Sequence, residues 1–194
     1  MTTIYLIRHA EAEGNLYRRI HGWYDSLITK NGERQIQALQ QRFDSVPIDA
    51  VYSSDLIRTQ LTAGAVYLPK GLPLHLHPGL REIHMGDWED RTWGEVRHFQ
   101  GDQLALFNHT DPSFQAPGGG EGFGPLGDRV YEAIRSIAQK HPDQNVALFS
   151  HGTAIRQFLG KVKGTEPGQW KDLPHFDNTA VTCLAWDGNA FHIV

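Results

Sequence analysis

Ile4-Tyr5-Leu6-Ile7-Arg8-His9-Ala10-Glu11, followed by Asn15, is the stretch from which the fold can be read. Four apolar residues are too few for a helix of their own and too many for a solvated loop. They predict a short strand buried on both faces, as in a parallel sheet. Open α/β sheets place their ligand sites at the carboxyl ends of such strands. This strand ends in an arginine beside a histidine, a pairing suited to attacking or holding a phosphate. Partners for that task must lie elsewhere in the chain.

A second apolar run supplies one. Val146-Ala147-Leu148-Phe149-Ser150-His151-Gly152 repeats the order of strand, histidine and small residue. In a parallel sheet both histidines fall at the same edge, and the small residue lets backbone amides approach an anion. Between the two runs, Ala50-Val51-Tyr52-Ser53 predicts another short strand. Ser54-Asp55 then reads as the cap of a helix carrying Leu56, Thr59, Ala63 and Val66. Arg58 lies in the first turn of that helix, where a cation opposes the helix dipole. An arginine that accepts this cost is expected to face an anion. Arg8, His9, Asn15, Arg58 and His151 are thus expected to converge on one phosphate pocket.

The other elements follow from periodicity. Thr29 is a candidate N-cap for a helix with Ile36, Leu39 and Phe43 on one face, ending before Pro47. Leu74-His75-Leu76-His77 alternates like a half-buried strand that stops at Pro78. Residues 80–124 form an irregular, aromatic-rich insertion with short helices near 92–99 and 102–109. A long helix follows, with Leu126, Val130, Ala133, Ile134 and Ile137 on one face. Two strands near 179–186 and 190–194, turned by Asp187-Gly188, close the chain. Strands alternating with helices predict an α/β fold, a mostly parallel sheet covered by helices on both faces. No repeat or linker divides the 194 residues, so one domain is expected over 1–194.

Composition narrows the partners. A net charge of -4 without a basic run argues against nucleic acid, and an anionic substrate must then be drawn by local positive charge. No apolar stretch is long enough to span a bilayer. The lone Cys183 and the absence of a leader-like start suit a cytoplasmic protein.

The carboxyl group such a pocket needs is offered by Leu80-Arg81-Glu82-Ile83-His84-Met85-Gly86-Asp87-Trp88-Glu89. Apolar flanks favour the protonated form of a carboxyl, as for Glu82 between Leu80 and Ile83, with Asp87 and Glu89 the alternatives. The ordered motifs now resemble one family along nearly the whole chain. They are Arg8-His9-Ala10-Glu11 with Asn15, Gly22-x-x-Asp25 with Leu27, Thr29 and Gly32, and Ser54-Asp55-Leu56 with Arg58, Thr62 and Ala63. Leu80-x-Glu82 with Gly86-x-Trp88-Glu89, Pro117-Gly118-Gly119-Gly120-Glu121, Ser150-His151-Gly152 and Asn178 complete the set. The chain resembles the histidine phosphatase superfamily, with its phosphoglycerate-mutase-like three-layer α/β/α sandwich.

The resemblance implies that His9 is a nucleophile that becomes phosphorylated. It implies that Arg8, Arg58 and His151 bind the phosphoryl oxygens, with Asn15 adding a neutral donor. Glu82 would protonate the leaving alkoxide and then activate water. Gly22 and Gly152 fall among the substrate-binding positions, and His21 is expected at the pocket entrance. No metal or other cofactor is implied, and the sequence has no His-x-x-x-His or paired-cysteine set. The His75-x-His77 pair could bind a metal, but alternation on a strand more often gives two exposed rings. Gly122-Phe123-Gly124-Pro125-Leu126-Gly127 spells a dinucleotide-binding pattern, yet it follows a loop and contains a proline, so it is set aside.

Two departures stand out. Ala10 replaces the usual glycine, which matters only if a positive φ is needed. Gly122 replaces the usual serine, removing a cap hydroxyl and leaving the part played by Glu121 open. Few cations and many aromatics between 84 and 124 favour an acid-type phosphomonoesterase for small organic phosphates, with an apolar acceptor wall and broad specificity. An α-ribazole phosphatase of cobalamin synthesis, a 2,3-bisphosphoglycerate-dependent phosphoglycerate mutase and a non-catalytic phosphate binder are the alternatives. The partner expected is a small phosphate ester, with no nucleic acid and no membrane. The oligomeric state stays open, a dimer included.

Overall fold

The computed structural model describes residues 1–165, 173 and 175–194. The predicted first strand is β1 (Thr2–Arg8), followed in the chain by β2 (Ala50–Ser53), β3 (Leu74–Leu76), β4 (Asn145–Ser150), β5 (Val181–Trp186) and β6 (Phe191–Ile193). They form one sheet in the order β3-β2-β4-β1-β5-β6. Pairing is parallel from β3 to β1, and antiparallel where β5 joins β1 and β6 joins β5. The register Arg8↔Ser150 makes His9 and His151 leave neighbouring strands together.

Helices α1 (Glu13–Leu16), α2 (Lys30–Phe43), α3 (Ile57–Lys70), α4 (Trp93–Phe99), α5 (Gly101–Asn108), α6 (Phe123–Lys140) and α7 (Gly152–Val162) complete the described elements. Strand alternation sorts them into layers. Ile4, Leu6, Val146 and Leu148 join a core with Leu126, Val130 and Ile134 of α6 and Ile155 and Phe158 of α7. Ile7, Ala147 and Phe149 face the other way, onto Leu39 and Phe43 of α2 and Ala63 and Val66 of α3. Ile4, Leu6 and Ile7 are fully buried, each contributing about 1.5–3 kcal/mol through the area removed from water. The result is the expected three-layer α/β/α sandwich.

Several local expectations hold. Thr29 caps α2, its hydroxyl accepting from the Gly32 amide at 3.0 Å. Ala10 is absent from the positive-φ residues, so alanine there needs no strained backbone. Others are corrected. The N-cap of α3 is Leu56, not Ser54-Asp55, and it has no capping side chain of its own. The orphan amide of Ile57 instead donates to Asp25 Oδ1 at 2.8 Å, from a loop distant in sequence. The closing hairpin turns over 187–190, with Asp187 Oδ1 accepting from both Asn189 and Ala190 amides. His75 is exposed as expected, but His77 is half-buried and its Nδ1 accepts from Gly79 N at 3.0 Å.

The aromatic segment before α6 divides by depth. Trp88 and Phe114 are buried in the same core as Phe123 and Leu126, whereas Phe99 is exposed. Packing therefore accounts for some of these rings and not for others. Among the described residues no helix is long and apolar enough to cross a membrane.

Candidate active site

Six of the nine predicted site residues sit at the carboxyl edge of the sheet or one turn beyond it. β1 delivers Arg8 and His9, β4 is followed by His151, and Gly152 opens α7. Arg58 comes from the second position of α3, and Asn15 from α1. A cavity of about 680 Å³ brings together Arg8, His9, Asn15, His21, Gly22, Arg58, Glu82 and Gly152. His151 is fully buried behind it, its ring centroid 5.2 Å from that of His9.

The tautomer of His9 follows from its neighbours. Its Nδ1 lies 2.7 Å from the carbonyl oxygen of Ala10, which can only accept, so Nδ1 carries the proton and Nε2 keeps its lone pair. Burial comes first in holding His9 well below its ordinary pKa; the charges of Arg58 and Arg8 add to it, and His21 contributes last, while the bond to Ala10 acts the other way. The ring is neutral at physiological pH. Thr62 supports the turn beneath it, accepting from Ala10 N at 2.9 Å and donating to Arg58 O at 2.6 Å. Asn178 Nδ2 holds the His9 carbonyl at 2.9 Å.

His151 is likewise held well below the usual range by burial, then by Arg58, His9, His21 and Arg8. Ser54 Oγ accepts from Leu56 N at 3.3 Å and lies 3.0 Å from His151 Nε2. His151 Nδ1, Arg8 Nε and Arg58 Nε are all buried without a hydrogen-bond partner among the described residues. Buried donors left unpaired are costly, which suits the Nε groups of Arg8 and Arg58 to an oxyanion.

Arg58 is 0% exposed, yet it is not abandoned. Its terminal nitrogens donate to Gly22 O at 2.8 Å and Tyr24 O at 2.9 Å, and Asp25 lies 3.8 Å away. Burial still lowers its pKa to about 10, against the opposing pull of Glu82, Asp25 and Glu89. It stays charged. Gly22 therefore serves Arg58 through its carbonyl. Its φ of +52° and the Glu89 carboxylate, 2.3 Å from where a Cβ would sit, explain why it is glycine. Arg8, lowered chiefly by burial, donates to Phe176 O.

Glu82 differs from its sequence-based description. Leu80 and Ile83 point into the core, and the carboxylate instead meets the N-terminus of α7. It accepts from Ala154 N at 2.9 Å, Thr153 N at 3.1 Å and Ile83 N at 3.0 Å. His21 is not merely at the entrance. Its Nε2 lies 2.7 Å from Ser26 Oγ, its ring packs edge-on to His9 at 6.0 Å, and burial with Arg58 and Arg8 lowers its pKa to about 3.

The rest of the cavity goes beyond the apolar wall expected from the aromatic segment. Ile20, Met85, Trp93, Phe107 and Phe123 add apolar lining, and Arg18, Arg19, Arg156 and Gln157 polar lining. The expected apolar wall is thus one part of the lining, beside added cations. Arg156 and Gln157 follow Gly152 and Thr153 by one helical turn, so the i,i+4 rule applied to α7 would have found them. Arg18 and Arg19 carry no comparable signal. Among the described residues no group of three histidine, cysteine or acidic side chains is placed to hold a metal.

Comparison with known proteins adds the family. The family model described as histidine phosphatase superfamily (branch 1) matches residues 4–194. A metal-independent phosphoserine phosphatase of Arabidopsis thaliana is 28% identical, over 98% of this chain and 90% of that protein. "Probable phosphoglycerate mutase GpmB" of Serratia proteamaculans is 34% identical, over 84% of this chain and 76% of its own length. Among solved structures, Bacillus stearothermophilus YhfR superposes with a TM-score of 0.95 at 34% identity, covering 100% of this chain and 96% of that one.

Proposed function

Because the chain belongs to branch 1 of the histidine phosphatase superfamily, we propose that it is a metal-independent phosphomonoesterase working through a phosphohistidine at His9. The observation that carries this is the state of the His9 ring: Nδ1 tied to Ala10 O and the ring kept neutral beside Arg8 and Arg58, whose Nε groups have no partner among the described residues. Nε2 attacks phosphorus as the ester oxygen leaves, and Glu82 in its acid form gives that oxygen a proton. Glu82 then takes a proton from water, whose oxygen attacks the phosphohistidine, releasing inorganic phosphate and restoring His9. Arg8, Arg58 and His151 stabilise the charge on the transferring group, the task a metal performs elsewhere.

The rest of the cavity has both aromatic and polar lining. That mixture suits a range of small organic phosphates rather than a single rigid substrate. Since His9 stays neutral well below pH 6.5, its nucleophilicity persists into the acid range. The test is turnover with EDTA present, comparing p-nitrophenyl phosphate with 3-phosphoglycerate plus 2,3-bisphosphoglycerate. Phosphate release from the aryl ester without isomerisation is expected. Isomerisation with little phosphate release would assign a mutase.

A further inference from the structure

Arg129 of α6 is outside the cavity, yet each nitrogen of its guanidinium is engaged around the loop that carries Glu82. Nε donates to Glu121 Oε1 at 2.9 Å, and Nη2 to Glu121 Oε2 at 2.7 Å and to the Glu82 carbonyl at 3.1 Å. Nη1 donates to the carbonyls of Gly79 and Arg81, both at 3.1 Å, with Pro78 O at 3.5 Å. Glu121 grips the far end of the same loop. Its Oε2 accepts from His84 N at 2.9 Å, and its own amide donates to His84 O at 2.7 Å.

This is more support than a loop needs merely to pack. A rigid, planar donor fork fixes the carbonyls on both sides of Glu82, and the paired carboxylate fixes the residues after it. The Glu82 carbonyl also accepts from Trp23 Nε1 at 2.8 Å, so its peptide is pinned from two directions. Both members of the ion pair are mostly buried, with side chains 24% and 20% exposed, which makes their geometry well defined. The carboxylate of Glu82, held by α7 at its tip, is thereby held by α6 at its base.

We infer that Arg129, locked by Glu121, is the positioning residue for the proton donor, setting where the Glu82 carboxyl stands relative to the leaving oxygen. The inference rests on the acid role proposed for Glu82. It also gives Glu121 a task that does not depend on the residue at 122. Small displacements of a proton donor are expensive in rate, and leaving groups that need a proton feel them most.

The test measures Arg129→Met and Arg129→Lys on an alkyl phosphate and on p-nitrophenyl phosphate, in the parent and in Glu82→Gln. In the parent, kcat/KM on the alkyl ester, which reads the step where Glu82 acts as acid and not the shared hydrolysis of phosphohistidine, should fall on the order of 30–100-fold, while kcat/KM on the aryl ester changes little. In Glu82→Gln, adding Arg129→Met should cost nothing further on the alkyl ester. Equal losses on both esters, or additive losses in the double variant, would overturn the positioning role. If Glu82→Gln itself shows no preference for good leaving groups, the acid role of Glu82 is what fails. Should Arg129→Met not fold, Arg129→Lys and Glu121→Gln carry the same comparison.

Discussion

Lowering the pH from 6.5 to 5.5 should cost this protein about 3 kcal/mol of stability through three histidines alone. His9 and His151, buried, and His21, half-buried, are neutral, their native pKa values held below 6.5 by desolvation and by the nearby arginines. In the unfolded chain each returns to an ordinary pKa near 6.5. The sign follows from proton counts. Below 6.5 the unfolded state binds protons that the native state refuses, so stability is present above the unfolded pKa and is lost as pH falls. Over that pH unit each histidine costs roughly 1 kcal/mol, against a typical total of about 5–15 kcal/mol. Loss continues until the native groups titrate, for His21 at about 3. His77, also lowered by burial, adds in the same direction. Urea unfolding at the two pH values reads the difference, and His21→Gln should reduce it by about a third. Equal midpoints at both pH values, with an unchanged denaturant slope, would mean that the site histidines are charged in the native protein.

His9→Ala should abolish turnover yet still bind orthovanadate, because Arg8, Arg58 and His151 remain; loss of vanadate binding would show that His9 holds the anion as well as attacking it. Gly14→Ala would place a Cβ 2.2 Å from His21 Nε2, so about 1–3 kcal/mol of destabilisation and a raised KM are expected from unfolding curves and kinetics; a silent variant would show that His21 has room to move. Thr62→Val leaves the buried Ala10 amide without its acceptor, costing about 1–3 kcal/mol and lowering kcat through the displaced His9. A loss of stability with kcat intact would separate that turn from catalysis.

What could be read in advance depended on how far each determinant reaches along the chain. β1 and β4 were legible because four consecutive apolar residues are a local signal, and the arginine or histidine after them falls at a known edge; β2 was the shorter run Ala50-Val51-Tyr52. α2 and α6 were legible from the spacing of Leu39 and Phe43, and of Leu126, Val130, Ala133, Ile134 and Ile137. The start of α3 was misread because its capping acceptor, Asp25, lies 32 residues upstream. The surroundings of Glu82 were misread for the same reason. Leu80 and Ile83 are its neighbours in sequence, but the amides of Thr153 and Ala154 are its neighbours in space. The polar lining of the cavity was missed because the cations of the aromatic segment alone were weighed, while Arg18, Arg19 and Arg156 enter from elsewhere.

The charge pattern of the site has a further consequence for ligand binding. Arg8 and Arg58 are the charges that keep the histidines neutral, together with burial. An anion seated between them offsets their field and adds its own attraction for a proton. Its arrival must therefore raise the pKa of His9, His21 and His151, and by linkage a proton taken up on binding makes the anion bind more tightly as pH falls. Inorganic phosphate titrates in the same range and would blur the effect. Sulfate, a tetrahedral dianion that stays fully ionised, isolates it. Calorimetry of sulfate binding near pH 5.5 in buffers of different ionisation enthalpy should give heats that differ with the buffer, in the direction of proton uptake. Sulfate that bound with the same heat in every buffer would mean that burial alone keeps these rings neutral, and that the arginines have little hold on the nucleophile.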